Sequence, residues 1–275
     1  MIVLNTVRSR RDLGQDVGVV ILSWRSWAAW VLGYPEAALA DAELAVQNAR
    51  EIGHAPTLIY ALFFVSSTHA FCGNYATARA LSDELVALAG EKRASFWEAQ
   101  AMSYRSCLLA LTGEAADTVH MITSALSTYN STGGTVFMPW YLSTLARAYA
   151  QRGQFDDASR CIAEALTAVE TVKERWYEAE INRTAGEIAL LAPERDATKA
   201  REHFERSLAV VRQQQAKSWE LRAAISLARL WRDQGKVQQA RELLAPVYGW
   251  FTEGFDTRDL KEAKGLLDML ACEAE

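Results

Sequence analysis

Five glycines mark the chain at a nearly constant interval. Gly33, Gly73, Gly113 and Gly153 are each forty residues apart, and Gly235 follows eighty-two residues after the fourth. A fixed period of this length is typical of repeat proteins, in which each unit is one supersecondary element that contacts mainly its neighbours. The chain is therefore expected to form one stacked array rather than separate globular domains.

The segments between these glycines have the periodicity of amphipathic helices. Residues 140–170 are the clearest unit, because apolar residues recur there at three- and four-residue steps on both sides of Gly153. They are Leu142, Leu145, Ala146 and Tyr149 before the turn, and Phe155, Ala158, Ile162, Ala165 and Leu166 after it. A helix pair of this size cannot bury its own apolar stripe, so neighbouring pairs must stack.

The whole chain divides into helix pairs on this pattern, and no strand pattern competes with it. We predict pairs near 17–50, 56–90, 95–130, 137–171, 175–214 and 217–251, followed by a capping helix at 257–273. These elements form a single domain over residues 17–275, preceded by an N-terminal extension of residues 1–16. At the start of the third pair, Ser95 and Glu98 have the spacing of a capping box, which predicts Ser95 as the N-cap.

The clearest unit resembles the tetratricopeptide repeat, whose motif positions are filled by Leu142, Leu145, Ala146, Tyr149, Gly153, Phe155, Ala158 and Ala165. Other pairs match less completely: the third has Thr118 in place of the small alanine, and the fifth lacks the turn glycine. The resemblance implies an all-α fold, a tetratricopeptide-like α-solenoid of about six helix pairs plus a C-terminal capping helix, wound as a right-handed superhelix. A period nearer 40 than the usual 34 requires longer helices or loops.

Residues 216–270 are similar to the C-terminal end of a bacterial family of large signalling regulators. The stretch PVYGWFTEGFDTRDLKEAK (246–264) is the most specific part, and residues 14–24 and 60–71 look like earlier repeats of the same array. In that family a P-loop ATPase precedes a long tetratricopeptide-like array, often behind an adenylate/guanylate cyclase or winged-helix domain. This chain contains neither a phosphate loop nor a cyclase signature. The resemblance therefore implies the regulatory arm alone.

Composition and charge argue against several partners. The net charge is −5, whereas nucleic-acid binding requires a concentrated basic face. The most apolar run, residues 17–24, is far shorter than the roughly 20 residues that span a bilayer, and no signal-peptide cleavage pattern follows it. We expect a cytoplasmic protein with four reduced cysteines and with no nucleic-acid or membrane partner.

No arrangement of residues in the sequence indicates catalysis. The four histidines stand alone, without a His-Glu-x-x-His motif or a cysteine at metal-ligand spacing. A Gly-x-Ser-x-Gly elbow is absent, and the glycine-containing loop at 131–135 lies between helix pairs rather than after a strand. The sequence therefore predicts a protein that is not an enzyme and has no metal site and no cofactor.

The two ends of the array differ in character. Residues 258–273 have one apolar and one charged face, as a capping helix should. Residues 17–32 have almost no polar side chain, and residues 1–134 contain 21 charged residues against 42 in residues 135–275. An all-round apolar helix requires cover. Upstream repeats, a second copy of the chain in a homodimer, or residues 1–16 could supply it.

In tetratricopeptide arrays the first helix of each pair lines the concave face, which predicts a groove in this chain. Its candidate partner-binding residues are Trp27, Trp30, Tyr60, Phe63, Trp140, Arg147, Arg183, Glu187, Arg222 and Arg229. Aromatic and arginine side chains dominate binding energies at interfaces, and a row of arginines suits carboxylates or an acidic peptide. The alternative is a structural role, in which the tryptophans pack against a neighbour and the arginines pair with Glu178, Glu180 and Glu187.

The sequence thus predicts a non-enzymatic module that binds a protein or peptide segment in its groove. In the family setting it would be the sensor or interaction arm of a bacterial signal-transduction ATPase or cyclase. Two alternatives stay open. A small-molecule or signalling-peptide sensor should have a closed pocket ringed by tryptophan and arginine, and a homodimeric scaffold should associate through its apolar N-terminal helix.

Overall fold

The computed structural model describes residues 14–113 and 117–273. Over these ranges the chain forms thirteen α-helices and no strand. The helices are α1 (Val17–Val31), α2 (Pro35–Ile52), α3 (Ala55–Phe71), α4 (Tyr75–Glu91), α5 (Ser95–Thr112), α6 (Thr118–Ser131), α7 (Met138–Gln151), α8 (Phe155–Val172), α9 (Glu178–Leu191), α10 (Ala197–Gln214), α11 (Lys217–Asp233), α12 (Val237–Tyr248) and α13 (Arg258–Cys272). The predicted all-α architecture of six helix pairs and a C-terminal helix is confirmed.

The periodic glycines lie in the turns between paired helices and adopt positive φ angles. The angles are 93° at Gly33, 85° at Gly73, 71° at Gly113, 75° at Gly153 and 75° at Gly235. Glycine reaches this region without the steric cost that a Cβ atom imposes. The forty-residue period therefore has a local cause, because each of these helix pairs needs one residue that can end the first helix in a left-handed conformation.

The predicted capping box at the third pair is wrong. Helix α5 already includes Ser95, its N-cap is Ala94, and no side chain caps that end. The backbone N–H of Glu98 donates to the carbonyl of Ala94 at 2.8 Å, so the helical hydrogen bonds begin one residue earlier than the motif suggested. The first turn is formed by backbone geometry rather than by a serine hydroxyl.

The first helices of the pairs form an inner layer, and the second helices pack outside it. Each inner helix contacts the next, in the order α1, α3, α5, α7, α9 and α11. Inner helices are buried nearly all round, as α3 and α9 show, whereas the outer helix α2 buries a single stripe of alanines. Small residues on that stripe let the two layers approach closely.

The inner layer closes on itself, because α11 also contacts α1. The hydroxyl of Ser218 on α11 donates to the carbonyl oxygen of Trp30 on α1, which is 188 positions away in the sequence. A ring of six inner helices results, rather than an open superhelical trough. The elements that surround the ring axis therefore come from both ends of the chain.

This closure changes the account of the apolar N-terminal helix. Trp27 and Trp30 are buried within the chain itself, at 5% and 2% exposure. Trp30 is covered by Trp219 of α11 and by Phe71 of α3. Among the described residues, later repeats of the same chain thus cover these two tryptophans, Trp176 against Trp27 and Trp219 against Trp30. Ile21 and Trp24 of α1 remain exposed, although the ring of Trp24 also contacts Phe64.

Candidate functional site

An aromatic cluster fills part of the ring axis. At its centre, the ring of Trp27 lies 4.6 Å from Phe64, 5.5 Å from Phe137 and 5.2 Å from Trp176, measured between ring centroids. Its indole N–H donates to the backbone carbonyl of Phe64 at 3.1 Å. Edge-to-face and tilted contacts at these distances stabilise beyond simple burial. The cluster ties α1, α3, α7 and the segment before α9 together.

The predicted aromatic groove residues lie in or beside this cluster. Trp27, Trp30, Phe63 and Trp140 are buried in it, and Tyr60 lies at its edge against Phe64. Because their rings contact one another, they offer a ligand little accessible surface. Trp140 also forms part of the wall of a cavity described below. Of the five predicted aromatic residues, Trp140 alone lines that cavity, and the other four pack as core or at its edge.

Four of the five predicted charged residues, all but Arg229, lie in a ladder of alternating charges, which runs Asp259, Arg222, Glu180, Arg183, Glu187, Arg147. The Nε atom of Arg222 donates to Asp259 at 2.6 Å, and Arg222 lies 3.7 Å from Glu180. Arg183 pairs with both Glu180 and Glu187, and Glu187 also accepts from Arg147 at 3.2 Å. Three helices of the ring, α7, α9 and α11, and the C-terminal helix α13 contribute to this ladder.

The middle of the ladder is buried, and its charges depend on one another. Burial by itself would raise the pKa of Glu180, but the adjacent Arg183, Arg222 and Arg147 lower that pKa below its ordinary value. Burial likewise opposes the charge on Arg183, yet Glu180 and Glu187 raise the pKa of its guanidinium well above the usual value. Both side chains therefore stay charged at neutral pH. Arg147, Arg183 and Arg222 thus pair with Glu180 and Glu187, as the structural alternative in the sequence analysis expected.

A partly enclosed cavity of about 400 Å³ lies on the ring axis beside the ladder. Aromatic and aliphatic side chains form one part of its wall, among them Phe71, Tyr104, Leu108, Trp140 and Tyr177. Charged side chains form the other part, namely Arg147, Glu180, Arg183, Glu187, Arg222, Arg229, Arg258, Asp259 and Glu262. We call this cavity the axial pocket.

The less buried arginines of the pocket wall are the ones best placed to meet a ligand. Arg147 and Arg229 keep 28% and 49% of their side-chain surface exposed. Arg229 pairs with Glu262 of α13 at 2.9 Å, and Arg258 donates to the hydroxyl of Tyr75 at 2.6 Å. The wall therefore offers a ligand charges of both signs next to an aromatic floor.

Several pocket residues were not predicted from the sequence. Asp259, Glu262 and Arg258 belong to the capping helix α13, which sequence patterns assign to the solvated end of the array. Trp176 and Trp219 carry much of the aromatic cluster, although their positions beside glutamates look like ordinary helix starts. Only ring closure brings them to the axis, so no local pattern could have revealed them.

Two buried cysteines, Cys72 and Cys107, are chemically inert at neutral pH. Burial raises the pKa of Cys72 and of Cys107 to about 12, which leaves both protonated and unreactive at neutral pH.

In the described ranges, no set of His, Cys, Asp or Glu side chains is grouped as metal ligands would be. None of the helices within residues 14–113 and 117–273 has the length and apolar character that crossing a bilayer demands.

Comparison with known proteins identifies the repeat. The sequence matches the tetratricopeptide repeat family over residues 139–170 and 221–246, which cover most of the fourth and sixth helix pairs. No curated protein matches the sequence significantly. Among solved structures, the fold is similar to the crystal structure of the apo form of RapI, with a TM-score of 0.61 and 12% identity over 95% of this chain and 88% of RapI.

A second solved structure is similar at a lower level. It is a signal transduction ATPase with numerous domains that carries a tetratricopeptide repeat sensor, from Pyrococcus horikoshii. Its TM-score is 0.48 and its identity 13%, over 93% of this chain and 38% of that one. The family match and the RapI likeness together establish a tetratricopeptide-like α-solenoid, as predicted. Repeats of this family are in general non-enzymatic protein-interaction modules, whereas the fold of this chain defines its repeat class alone.

Proposed function

We propose that the chain is a non-enzymatic regulatory module that binds a short peptide, or the end of a longer one, in its axial pocket. The observation that carries this proposal is a cavity of about 400 Å³, walled by aromatic rings on one side and by an alternating charge ladder on the other. A cavity of this size lies in the range of small-ligand sites. A peptide end supplies the carboxylates, amides and apolar side chains that such a wall can bind.

Ring closure favours a short ligand over a long segment lying in an open trough. The aromatic cluster around Trp27 occupies the axis next to α1 and α3, and the contact between α1 and α11 closes the ring. An extended chain therefore has no continuous path along the inner layer of the described residues. Of the hypotheses drawn from the sequence, this geometry supports the closed-pocket sensor best, because five arginines and Trp140 line the partly enclosed cavity.

Binding should depend on the half-exposed arginines of the pocket wall. We expect Arg147→Ala and Arg229→Ala each to raise the dissociation constant of short peptides selected on the wild-type protein by about tenfold or more. The reason is that a hydrogen bond to a charged group contributes roughly 1.5–3 kcal/mol. The peptides would come from affinity selection of a random five-residue library, with dissociation constants measured by calorimetry. Arg160→Ala is the matched control, because Arg160 lies outside the pocket in exposed pairs on α8. Peptides that bind all three variants as they bind wild type would place their site elsewhere.

We further propose that this module regulates an enzymatic domain of a larger signalling protein. The similarity of residues 246–264 to bacterial signalling regulators supports a role as the sensor arm of an ATPase or cyclase. In such a protein, ligand binding in the axial pocket would bias the attached domain between inactive and active arrangements. The pocket wall contains residues of α3, α4, α5, α7, α9, α11 and α13, so a bound ligand would contact five of the six inner helices.

A homodimer through the N-terminal helix is the alternative that the exposed side of α1 supports. Ile21 and Trp24 are 57% and 49% exposed there, whereas the buried Trp27 is unsuited to such a test. If this face self-associates, Trp24→Glu should convert a dimer into folded monomers, seen as halved mass in light scattering with an unchanged circular dichroism spectrum. Leu191→Glu is the control, because Leu191 is equally exposed at the end of α9. A monomeric wild-type protein at all concentrations would contradict this alternative.

A further inference from the structure

The ends of the chain meet in a continuous contact that we call the closure seam. It joins residues 30–37 and 71–75 of the first two repeats to residues 217–222 and 250–258 of the last repeat. Elsewhere each repeat contacts the next one along the chain, as expected of a solenoid. Among the helix–helix contacts of the described inner ring, the seam alone joins repeats that are not consecutive in the chain, although aromatic side chains also meet across the axis.

One part of the seam is a reciprocal carboxylate contact at the start of α2. The carboxylate of Glu253 accepts from the backbone N–H groups of Glu36 at 2.9 Å and Ala37 at 3.2 Å. In return, the N–H of Gly254 donates to the carboxylate of Glu36 at 2.8 Å. The first N–H groups of a helix lack intrahelical acceptors, and the positive end of the helix dipole favours an anion there.

The other polar contacts of the seam satisfy helix C-termini. Ser218 donates to the carbonyl of Trp30 near the end of α1, and Arg222 donates to the carbonyl of Phe71 at the end of α3, at 2.9 Å. The Arg222 guanidinium also lies 5.1 Å from the ring centroid of Trp30 and 5.0 Å from that of Trp219. Carbonyls at helix ends lack the usual intrahelical donor. Arg222 supplies one to Phe71, whereas the carbonyl of Trp30 accepts from Ser218 in addition to the N–H of Gly33 at 3.0 Å.

Two of the periodic glycines lie in the seam and permit its close approach. A Cβ atom on Gly33 would lie 2.5 Å from the ring of Trp250, and one on Gly73 would lie 2.7 Å from the Cβ of Arg258. Either distance is shorter than a carbon contact allows. Glycine at these turns thus serves the local helix ending and the distant contact at once.

The seam and the axial pocket share their wall. Phe71 and Tyr75 come from one side of the seam, and Arg222, Arg258 and Asp259 come from the other, yet all five line the pocket. Separating the two sides of the seam would therefore remove one wall of the pocket. Small rotations at each of the five interfaces between repeats add up at the seam, so it can separate without any helix unfolding.

We propose that the closure seam is the gate of the axial pocket, which opens to exchange ligand and closes around it. This inference rests on the proposed binding role of the pocket but concerns access to it. Gating predicts that contacts far from the ligand, on the outer rim of the seam, control how fast the pocket is reached. Ser218 and Glu253 are such contacts, because neither lines the pocket.

The protein carries a native reporter of seam opening. Cys72 lies between Phe71 and Gly73 and is 3% exposed. Burial raises its thiol pKa to about 12, with further contributions from Asp259 and Asp256 and an opposing one from Arg222. Cys161 on α8 is equally buried, at 3% exposure, outside the seam. Alkylation of Cys72 by N-ethylmaleimide thus requires the seam to open, and Cys161 serves as the internal control.

The decisive variant is Ser218→Ala/Glu253→Ala, which removes three hydrogen bonds across the seam. We expect alkylation of Cys72 to accelerate by about tenfold or more, since each bond shifts the opening equilibrium several-fold or more, while the rate at Cys161 stays as in wild type. Peptide mass spectrometry resolves the sites. Glu242→Ala is the matched control, because the Glu242 carboxylate accepts from Gln238 on its own helix. Unchanged alkylation of Cys72 in the double variant would overturn the gate.

A second reporter tests pocket access separately from peptide binding. Ser226 lines the pocket and is 8% exposed, so Ser226→Cys should be alkylated faster by the same factor when Ser218 and Glu253 are replaced. Acceleration at Cys72 without acceleration at position 226 would show a seam that opens without admitting reagent, and would also overturn the gate. Acceleration at both sites supports the gate even if no peptide ligand is found, which would count against the proposed function alone.

Discussion

Replacement of Trp27 by alanine should lower the free energy of unfolding by about 3–5 kcal/mol, the cost of a large buried aromatic truncated in a packed core. Trp27 is 5% exposed and contacts rings from α1, α3, α7 and the segment before α9. Four elements cannot collapse together into the space it leaves. The indole hydrogen bond to the carbonyl of Phe64 is lost as well. Urea unfolding followed by far-ultraviolet circular dichroism measures the change.

Trp24→Ala is the matched control, since it removes the same side chain from the same helix. Trp24 is 49% exposed, so we expect a loss of about 1 kcal/mol, in proportion to the smaller apolar area that it buries. Equal losses for the two variants would contradict the axial cluster, because they would mean that Trp27 has no more packed surroundings than a half-exposed tryptophan.

Replacement of Arg183 by methionine should cost a similar 3–5 kcal/mol, because breaking a buried ion pair leaves its partner uncompensated. The carboxylate of Glu180, 4% exposed, would then keep only the attraction of Arg222, at 3.7 Å, and of Arg147. Arg160→Met is the control. Arg160 forms exposed pairs on α8, and its removal should change stability by less than about 0.5 kcal/mol. Urea unfolding at neutral pH measures both.

The pH dependence of stability gives an independent check on the ladder. In the folded protein the pKa of Glu180 lies below its ordinary value of 4.5. A carboxyl with a lowered folded pKa contributes stability above its unfolded pKa and loses that contribution as the pH falls through the folded pKa. Wild-type stability should therefore fall as the pH drops below about 4.5. The fall should be shallower in Arg183→Met, and identical slopes in the two proteins would contradict the assignment.

Local patterns were enough to predict the repeat. Helical periodicity on both sides of Gly153 and the forty-residue glycine interval predicted six helix pairs and a capping helix, and the described residues contain them. The positive φ angles at Gly33 and Gly73 explain why glycine recurs there. Helical periodicity and turn glycines depend on residues close together in the chain, so they can be recognised in a single sequence. The N-cap predicted at Ser95 was one residue too late. The exact first residue of a helix is therefore less predictable than the helix itself.

The candidate site was predictable only in part. Alignment to the repeat selected Arg147, Arg183, Glu187 and Arg222, and the structure places all four in one ladder. The aromatic half of the predicted groove is packed as core, because tryptophans that point inward in a narrow ring meet one another before they meet solvent. Asp259 was not selected at all, since nothing near it in the sequence indicates that α13 reaches the ring axis.

By itself, the sequence determined the all-α repeat and its turns, because these follow from residue spacing within about forty positions. Its resemblance to the tetratricopeptide repeat indicated which helix of each pair faces inward. Only the tertiary structure decided that the array closes into a ring, with Ser218 against Trp30 and Glu253 against Glu36. Closure depends on the sum of small rotations between successive repeats, to which every interface contributes. No single stretch of sequence encodes that sum, although it creates the axial pocket.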